Sequence, residues 1–313
     1  SIHQSENQTG LERGKTMREK ILQAIRKNEI QTYSVTEKTT EGAELYFIKK
    51  DLDMRRMKKD AYSEVTIYRD FEMDGKKMRG SADINIFPEM TQEEVDKAVS
   101  GAFYAASFVK NPYFEIPKGT KEDKVEVEST LCGKSLEEIG DAFVKALYCV
   151  DVHEDAFINT AEFFMDKTWT AIYNSEGVDV SYEKNSVRGE FVVQCITPQD
   201  VEQYQEFAYD DLDTEALTRQ VEEALARVRD RANATEAPEK GNYKLLLSGK
   251  ELRQLMDFYM RRSSSGMIYP GYSNYKMGMN VQGNEVKGEK LNLTLHASTP
   301  YSTEGISMKD LEL

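Results

Sequence analysis

The stretch SEVTIYRDFEMDGKKMRGSADINIF, residues 63–87, decides the fold. Its period is two on either side of Asp74-Gly75, a dipeptide that supplies the left-handed backbone a tight hairpin turn needs, so it reads as two antiparallel strands. Upstream, AELYFIKK (43–50) reads as another strand. Downstream the period changes to that of a helix. TQEEVDKAVSGAFYAASFV (91–109) opens with the capping box Thr91 and Glu94 and sets Val95, Ala98, Val99, Ala102, Ala105, Ala106 and Val109 on one stripe.

The same order then recurs. SLEEIGDAFVKAL (135–147) carries a second capping box, Ser135 and Glu138, with Leu136, Ile139, Phe143, Ala146 and Leu147 on its apolar face. AIYNSEGVDVSYEKNSVRGEFVVQC (171–195) reads as strands turning at Gly177 and again near Asn185. TEALTRQVEEALARVRDRA (214–232) places Leu217, Val221, Leu225 and Val228 on one side before the polar linker that contains Pro238. Residues 17–109 and 135–232 thus read as two copies of a helix–strands–helix unit, joined by the charged segment PKGTKEDKVEVEST. The expected class is α+β: a polar tail or expression remnant over 1–16, with Met17 as the natural start, then a duplicated N-terminal domain over 17–240. From 241 to 313 the sequence reads as the start of a β-rich C-terminal domain, cut short, with an apolar strand before residue 248 and another at LNLTLHAS.

Composition narrows the function. With 39% hydrophobic and 31% charged residues the chain has a globular profile. A net charge of -14 disfavours unspecific binding to nucleic acid or an anionic membrane, because phosphate contacts need an excess of Lys and Arg on one face. The most basic stretch, MRRMKKD (54–60), is diluted by Asp51, Asp53 and Asp60 and reads as a solvated face or loop. No apolar run approaches the roughly 20 residues that span a bilayer. Cys132, Cys149 and Cys195 are odd in number and widely spaced, which fits a reducing, cytoplasmic setting better than a disulfide scaffold or zinc knuckle; Cys195 reads as a small buried hydrophobe.

Few residues are available for chemistry. The three histidines are His3 in the tail, His153 in DVHEDAF and His296 in a strand. His153, Glu154 and Asp155 are adjacent, so they diverge on any regular backbone and read as a solvated turn. No GxSxG, P-loop or GxGxxG occurs, and SSSG (263–266) reads as a helix stop. The segment LLLSGKELRQLMDFYMRR (245–262) reads as strand, turn and amphipathic helix, with a capping box at Ser248 and Glu251 and a stripe of Leu252, Leu255, Met256 and Tyr259. Tyr269, Tyr272 and Tyr275 follow it as candidate peptide or partner contacts.

Three features together, the NSEG hairpin (174–177), the strand–SG–helix step at Ser248-Gly249 and PYSTEGI (300–306), resemble the TldD/PmbA family, named as modulators of DNA gyrase. The likeness runs in order through residues 17–313 and implies a duplicated α+β domain followed by a β-rich one with further chain beyond Leu313. TldD-type members of that family carry a His-Glu-x-x-x-His zinc motif on the helix after the apolar strand; PmbA-type members, also called TldE, lack it. By the strand and SG turn, Met256 and Arg261 stand at the two histidine positions and Asp257 at the glutamate. A thioether and a permanently charged guanidinium do not replace neutral imidazoles on zinc. The resemblance therefore implies a PmbA/TldE-like chain with no catalytic or metal residue and no cofactor of its own. It implies association with a TldD-like subunit that holds the zinc, or with itself as a dimer, and an unfolded peptide as substrate, without nucleic acid or membrane. Two alternatives are an autonomous peptidase or hydrolase, and a protein-binding regulator of DNA gyrase.

Overall fold

The computed structural model describes residues 10–119, 128–290, 292–294, 298–299 and 302–303. The chain divides into two compact units between Ala234 and Thr235.

In the first unit the order is helix α1 (Gly10–Lys27), strands β1 (Thr32–Ile48), β2 (Asp51–Met73) and β3 (Lys76–Ile86), helix α2 (Gln92–Ala106) and the two-residue strand β4 (Asn111–Pro112). Then come α3 (Leu136–Tyr148), β5 (Ala156–Asn174), β6 (Asp179–Cys195), β7 (Val201–Tyr209) and α4 (Thr214–Ala232). Leaving β4 aside, this is helix, three strands, helix, twice over. The seven strands form one antiparallel sheet in the order β4-β3-β2-β1-β5-β6-β7. The two copies meet at its centre, where β1 and β5 pair from Ser34↔Asn174 to Ile48↔Thr160. A further pair, β8 (Ser298–Thr299) with β9 (Ser302–Thr303), is grouped with this unit.

Strand parity shows where the helices lie. Val35 belongs to the core packed by α1 and α2, while Ala43 and Phe47 belong to the core packed by α3 and α4. All three are odd-numbered residues of β1, and alternate side chains share a face, so both helix pairs cover the same side of the sheet. One core joins Ile21, Ile25, Val65, Ile67, Val95 and Val99; the other joins Phe143, Phe163, Phe191, Leu217, Val221 and Val228.

Several local expectations hold. Asp74 and Gly75 adopt φ of 54° and 72° at the β2–β3 turn, as a type I′ hairpin requires. Both capping boxes form, with Thr91 and Ser135 accepting from the backbone of Glu94 and Glu138 and the glutamates answering in return. Thr91→Ala and Ser135→Ala should each lower stability by about 1 kcal/mol, read as a shift in the urea midpoint at unchanged slope.

Other expectations are corrected. The second turn expected near Asn185 does not form: Asn185 pairs with Lys167 in the middle of β6, which runs from Asp179 to Cys195. Residues 10–16, read as tail, are the first turns of α1, because extending an existing helix is far less costly than starting one. MRRMKKD is a solvated face, as expected, but on a strand and not a loop: its exposed Arg56, Lys58 and Lys59 reach the carboxylates of Glu44, Asp166 and Glu41 on β1 and β5. On α2, Ala105 is exposed and Val109, past the helix end, is 37% exposed, so the apolar stripe is wider than the face that the core covers. Cys132, Cys149 and Cys195 are free thiols, and Cys195 is buried as expected. Among the described residues, no helix is long and apolar enough to cross a membrane.

In the second unit the described residues form α5 (Gly249–Arg262) and α6 (Ser265–Ile268). The expected strand before Ser248 is not formed. Tyr243–Leu247 lie outside regular structure with Leu245 and Leu246 81% and 97% exposed, because a strand without a neighbour has nothing to bond its backbone. Of LNLTLHAS, Asn292–Thr294 are in no strand and Ser298 is in β8; the rest, with His296, lies outside the described residues, as do His3 and most of PYSTEGI.

Candidate functional site

Helix α5 carries the residues that the sequence singles out. Its start differs from expectation: Ser248 is the N-cap residue, but its side chain makes no capping bond. Gly249 has φ +55°, which turns the first peptide away from helical geometry and takes the Glu251 N–H out of reach of the Ser248 hydroxyl. Along the helix Met256, Asp257 and Tyr259 are half-buried, whereas Leu252 and Leu255 are 41% and 49% exposed.

Met256 and Arg261 do not converge. Five residues of regular helix turn through about 500°, so their side chains leave the axis about 140° apart. A pair at that spacing meets on one ion only where the helix widens locally, and α5 is unbroken α-helix from Gly249 to Arg262. Geometry and donor chemistry therefore agree that Met256, Asp257 and Arg261 do not fit a zinc ion. His153 is exposed in the link between α3 and β5. Among the described residues no three His, Cys, Asp or Glu side chains gather where they could hold a metal.

The stop after α5 is built by serines. Ser263 and Ser264 hydroxyls donate back to the carbonyls of Tyr259 and Arg261 at 2.8 Å each, and Ser264 is the N-cap residue of α6. Arg262 Nη1 donates to the Tyr272 carbonyl at 3.1 Å, and Ser273 is buried against the Arg262 carbonyl, which folds the tyrosine loop back on the helix end. Tyr269 and Tyr272 stand 83% and 69% exposed. Tyr275 is half-buried and donates its hydroxyl to the Val281 carbonyl at 2.6 Å, so it braces its own loop.

The first unit holds an ionisable centre that sequence reasoning missed. Glu37 on β1 is 2% exposed and accepts a hydrogen bond of 2.9 Å from the Tyr173 hydroxyl on β5. Removal from water lifts its carboxyl from 4.5 to about 7, against the opposing pull of the Tyr173 bond and of Arg18, while Asp179 adds to the rise. Arg18 of α1 lies 4.1 Å above the Tyr173 ring and holds Asp179 of β6 in a bidentate pair at 2.8 and 3.0 Å. Ser63, opposite Glu37 across the β1–β2 ladder, is fully buried, and its hydroxyl has no hydrogen-bond partner among the described residues. The available signal was parity: Glu37 falls between Val35 and Thr39 on the inward side of a strand.

This duplicated sheet, with its helices on one face, is the fold of a known group of solved structures. TldE from Thermococcus kodakarensis superposes with a TM-score of 0.51 at 17% identity over 67% of this chain and 47% of its own. A putative modulator of a DNA gyrase from Thermotoga maritima matches with a TM-score of 0.53 at 16% identity over 72% of this chain and 50% of its own. A protein described in the same way from Bacteroides thetaiotaomicron gives 0.52, 8%, 70% and 50%. The chain thus spans about half the length of the solved structures it matches. No family model and no curated protein matches the sequence.

Proposed function

We propose that this chain is a PmbA/TldE-type member of the TldD/PmbA family and acts as the subunit without metal in a cytoplasmic peptide-processing complex. The zinc and the hydrolytic chemistry reside in a TldD-type partner, and the substrate is an unfolded peptide. The reading rests on α5: by the sequence resemblance Met256, Asp257 and Arg261 stand where the metal motif of a TldD-type chain falls, and the helix that carries them is regular α-helix from Gly249 to Arg262. The fold shared with TldE supports it. Exposed Tyr269 and Tyr272 are the proposed contacts with partner or peptide; Tyr275 supports the loop that presents them.

Mixing the chain with a TldD-type protein and following both by size-exclusion chromatography tests the association. The expected result is a stoichiometric complex that elutes ahead of either chain. Separate elution at micromolar concentration would count against the subunit reading. Two structural neighbours described as putative modulators of DNA gyrase support a second reading, a protein-binding regulator of that enzyme. Capture of gyrase, with no association to a TldD-type chain, would favour that one.

A further inference from the structure

The outer edge of β3 is only partly used by the chain itself. β4 pairs with β3 at Met78 and Arg79 alone, and the Tyr113 N–H donates to the Lys77 carbonyl at 3.2 Å. In an antiparallel ladder the N–H and C=O of one residue point to the same side and alternate along the strand. Since Lys77 faces β4, the odd-numbered residues Ser81, Asp83 and Asn85 direct their backbone groups away from β2. Among the described residues no strand pairs with them there.

Helix α2 runs beside this free edge. Ala98, Gly101 and Ala105 of the helix, with Ala82, Asp83 and Ile84 of the strand, line an open groove of about 470 Å³, and Glu94 and Lys97 of the helix also border it. The helix spends Val95, Val99, Ala102 and Ala106 on the core, so the groove wall carries no side chain larger than a methyl group at those three positions. A backbone can come close to such a wall, and it meets unpaired hydrogen-bonding groups when it does.

We propose that this groove binds an extended peptide as an added strand on β3, with bulky apolar side chains towards α2 and Lys or Arg on the alternate positions. Alternate residues of an added strand face opposite sides. On the helix side they meet the small side chains of Ala98, Gly101 and Ala105, beside the stems of Glu94 and Lys97. On the other side they come beside Asp83 and Glu64, which share that face with Thr66 and Asn85. Asp83 accepts from the Thr66 hydroxyl at 2.6 Å, and among the described residues no cation pairs with either carboxylate. A chain of net charge -14 adds to the preference for a basic ligand. Size decides against a second copy of this chain: Ser81–Ile86 offers roughly 20 Å of edge, whereas a stable dimer buries about 800 Å² on each partner. The inference needs neither a metal nor a partner subunit, so it stands or falls separately from the proposed function.

The test is fluorescence anisotropy of a labelled octapeptide of alternating Leu and Lys, titrated with the full chain. Saturable binding is expected, weakened about tenfold or more by N-methylation of alternate residues, which removes the donors that strand pairing uses, and likewise by replacing Lys with Glu. Gly101→Trp, at an exposed helix position where an added Cβ meets nothing, should abolish binding by filling the groove. No binding, or equal affinity for the N-methylated peptide, overturns the proposal even if the Gly101→Trp chain does not fold. A concentration-dependent dimer that Gly101→Trp dissolves would give the groove to a second copy and overturn it as well.

Discussion

Gly80→Ala is expected to destabilise the first unit by about 3 kcal/mol, a large share of the stability of an ordinary domain. Gly80 lies on β3 where the end of α2 crosses, and a Cβ added there would sit 1.7 Å from the Ala106 carbonyl oxygen and 2.7 Å from that of Val109. Both contacts are with backbone, so no side chain can rotate to relieve them; the helix end has to move off the sheet. Arg79 next to it deepens the cost. It is 4% exposed, holds Asp70 through two bonds of 2.7 and 2.9 Å and donates to the Phe114 carbonyl at 2.7 Å, which ties the segment after α2 to the same strand. Gly101→Ala is the matched control. Its added Cβ meets nothing, it lies within a helix, and it should raise stability by up to about 1 kcal/mol. Urea denaturation of the two variants should therefore move the midpoint in opposite directions. A midpoint for Gly80→Ala within error of the parent would mean that α2 does not rest on β3 as described.

The second large effect concerns pH. The folded state raises the Glu37 carboxyl from 4.5 to about 7, so the folded chain binds a proton more tightly than the unfolded chain does. The stability that this proton contributes is complete below about pH 4.5 and is lost as pH rises to about 7, because ionisation then strands a carboxylate away from water. At about 1.36 kcal/mol for each pH unit the loss is of order 3 kcal/mol. Glu37→Gln keeps the shape and the hydrogen bond with Tyr173 but has no charge to bury. Relative to the parent, its stability should climb by about 3 kcal/mol between pH 4.5 and 7.5, read from urea midpoints over that range. Parallel pH profiles for the two proteins would place Glu37 in contact with water.

Helices and turns were legible because their signals are local. Thr91 with Glu94, Ser135 with Glu138 and the φ-positive pair Asp74-Gly75 each act within four residues, and the structure keeps all three. The repeated order of helix, strands and helix was legible for the same reason. The seam between β1 and β5 was not. It joins residues about 130 apart in sequence, and strand alternation names the inward face without naming the neighbour. Glu37 was missed for that reason: its partner Tyr173 is 136 positions away, and only the pairing of the two strands brings them together. Ser248 with Glu251 had the letters of a capping box, but Gly249 between them adopts a backbone that other residues avoid. On α5, residue type alone argues against zinc at Met256 and Arg261, and the helix geometry adds their divergence around the axis.

The most direct test of the account is metal content and peptide cleavage, measured on the chain alone and again after mixing with a TldD-type protein. The account predicts less than stoichiometric zinc and no cleavage of an unfolded peptide by the chain alone, and a chelator-sensitive peptidase in the mixture. Stoichiometric zinc on the isolated chain, or cleavage by it that chelators leave untouched, would contradict the reading of Met256, Asp257 and Arg261 and move the chemistry into this chain.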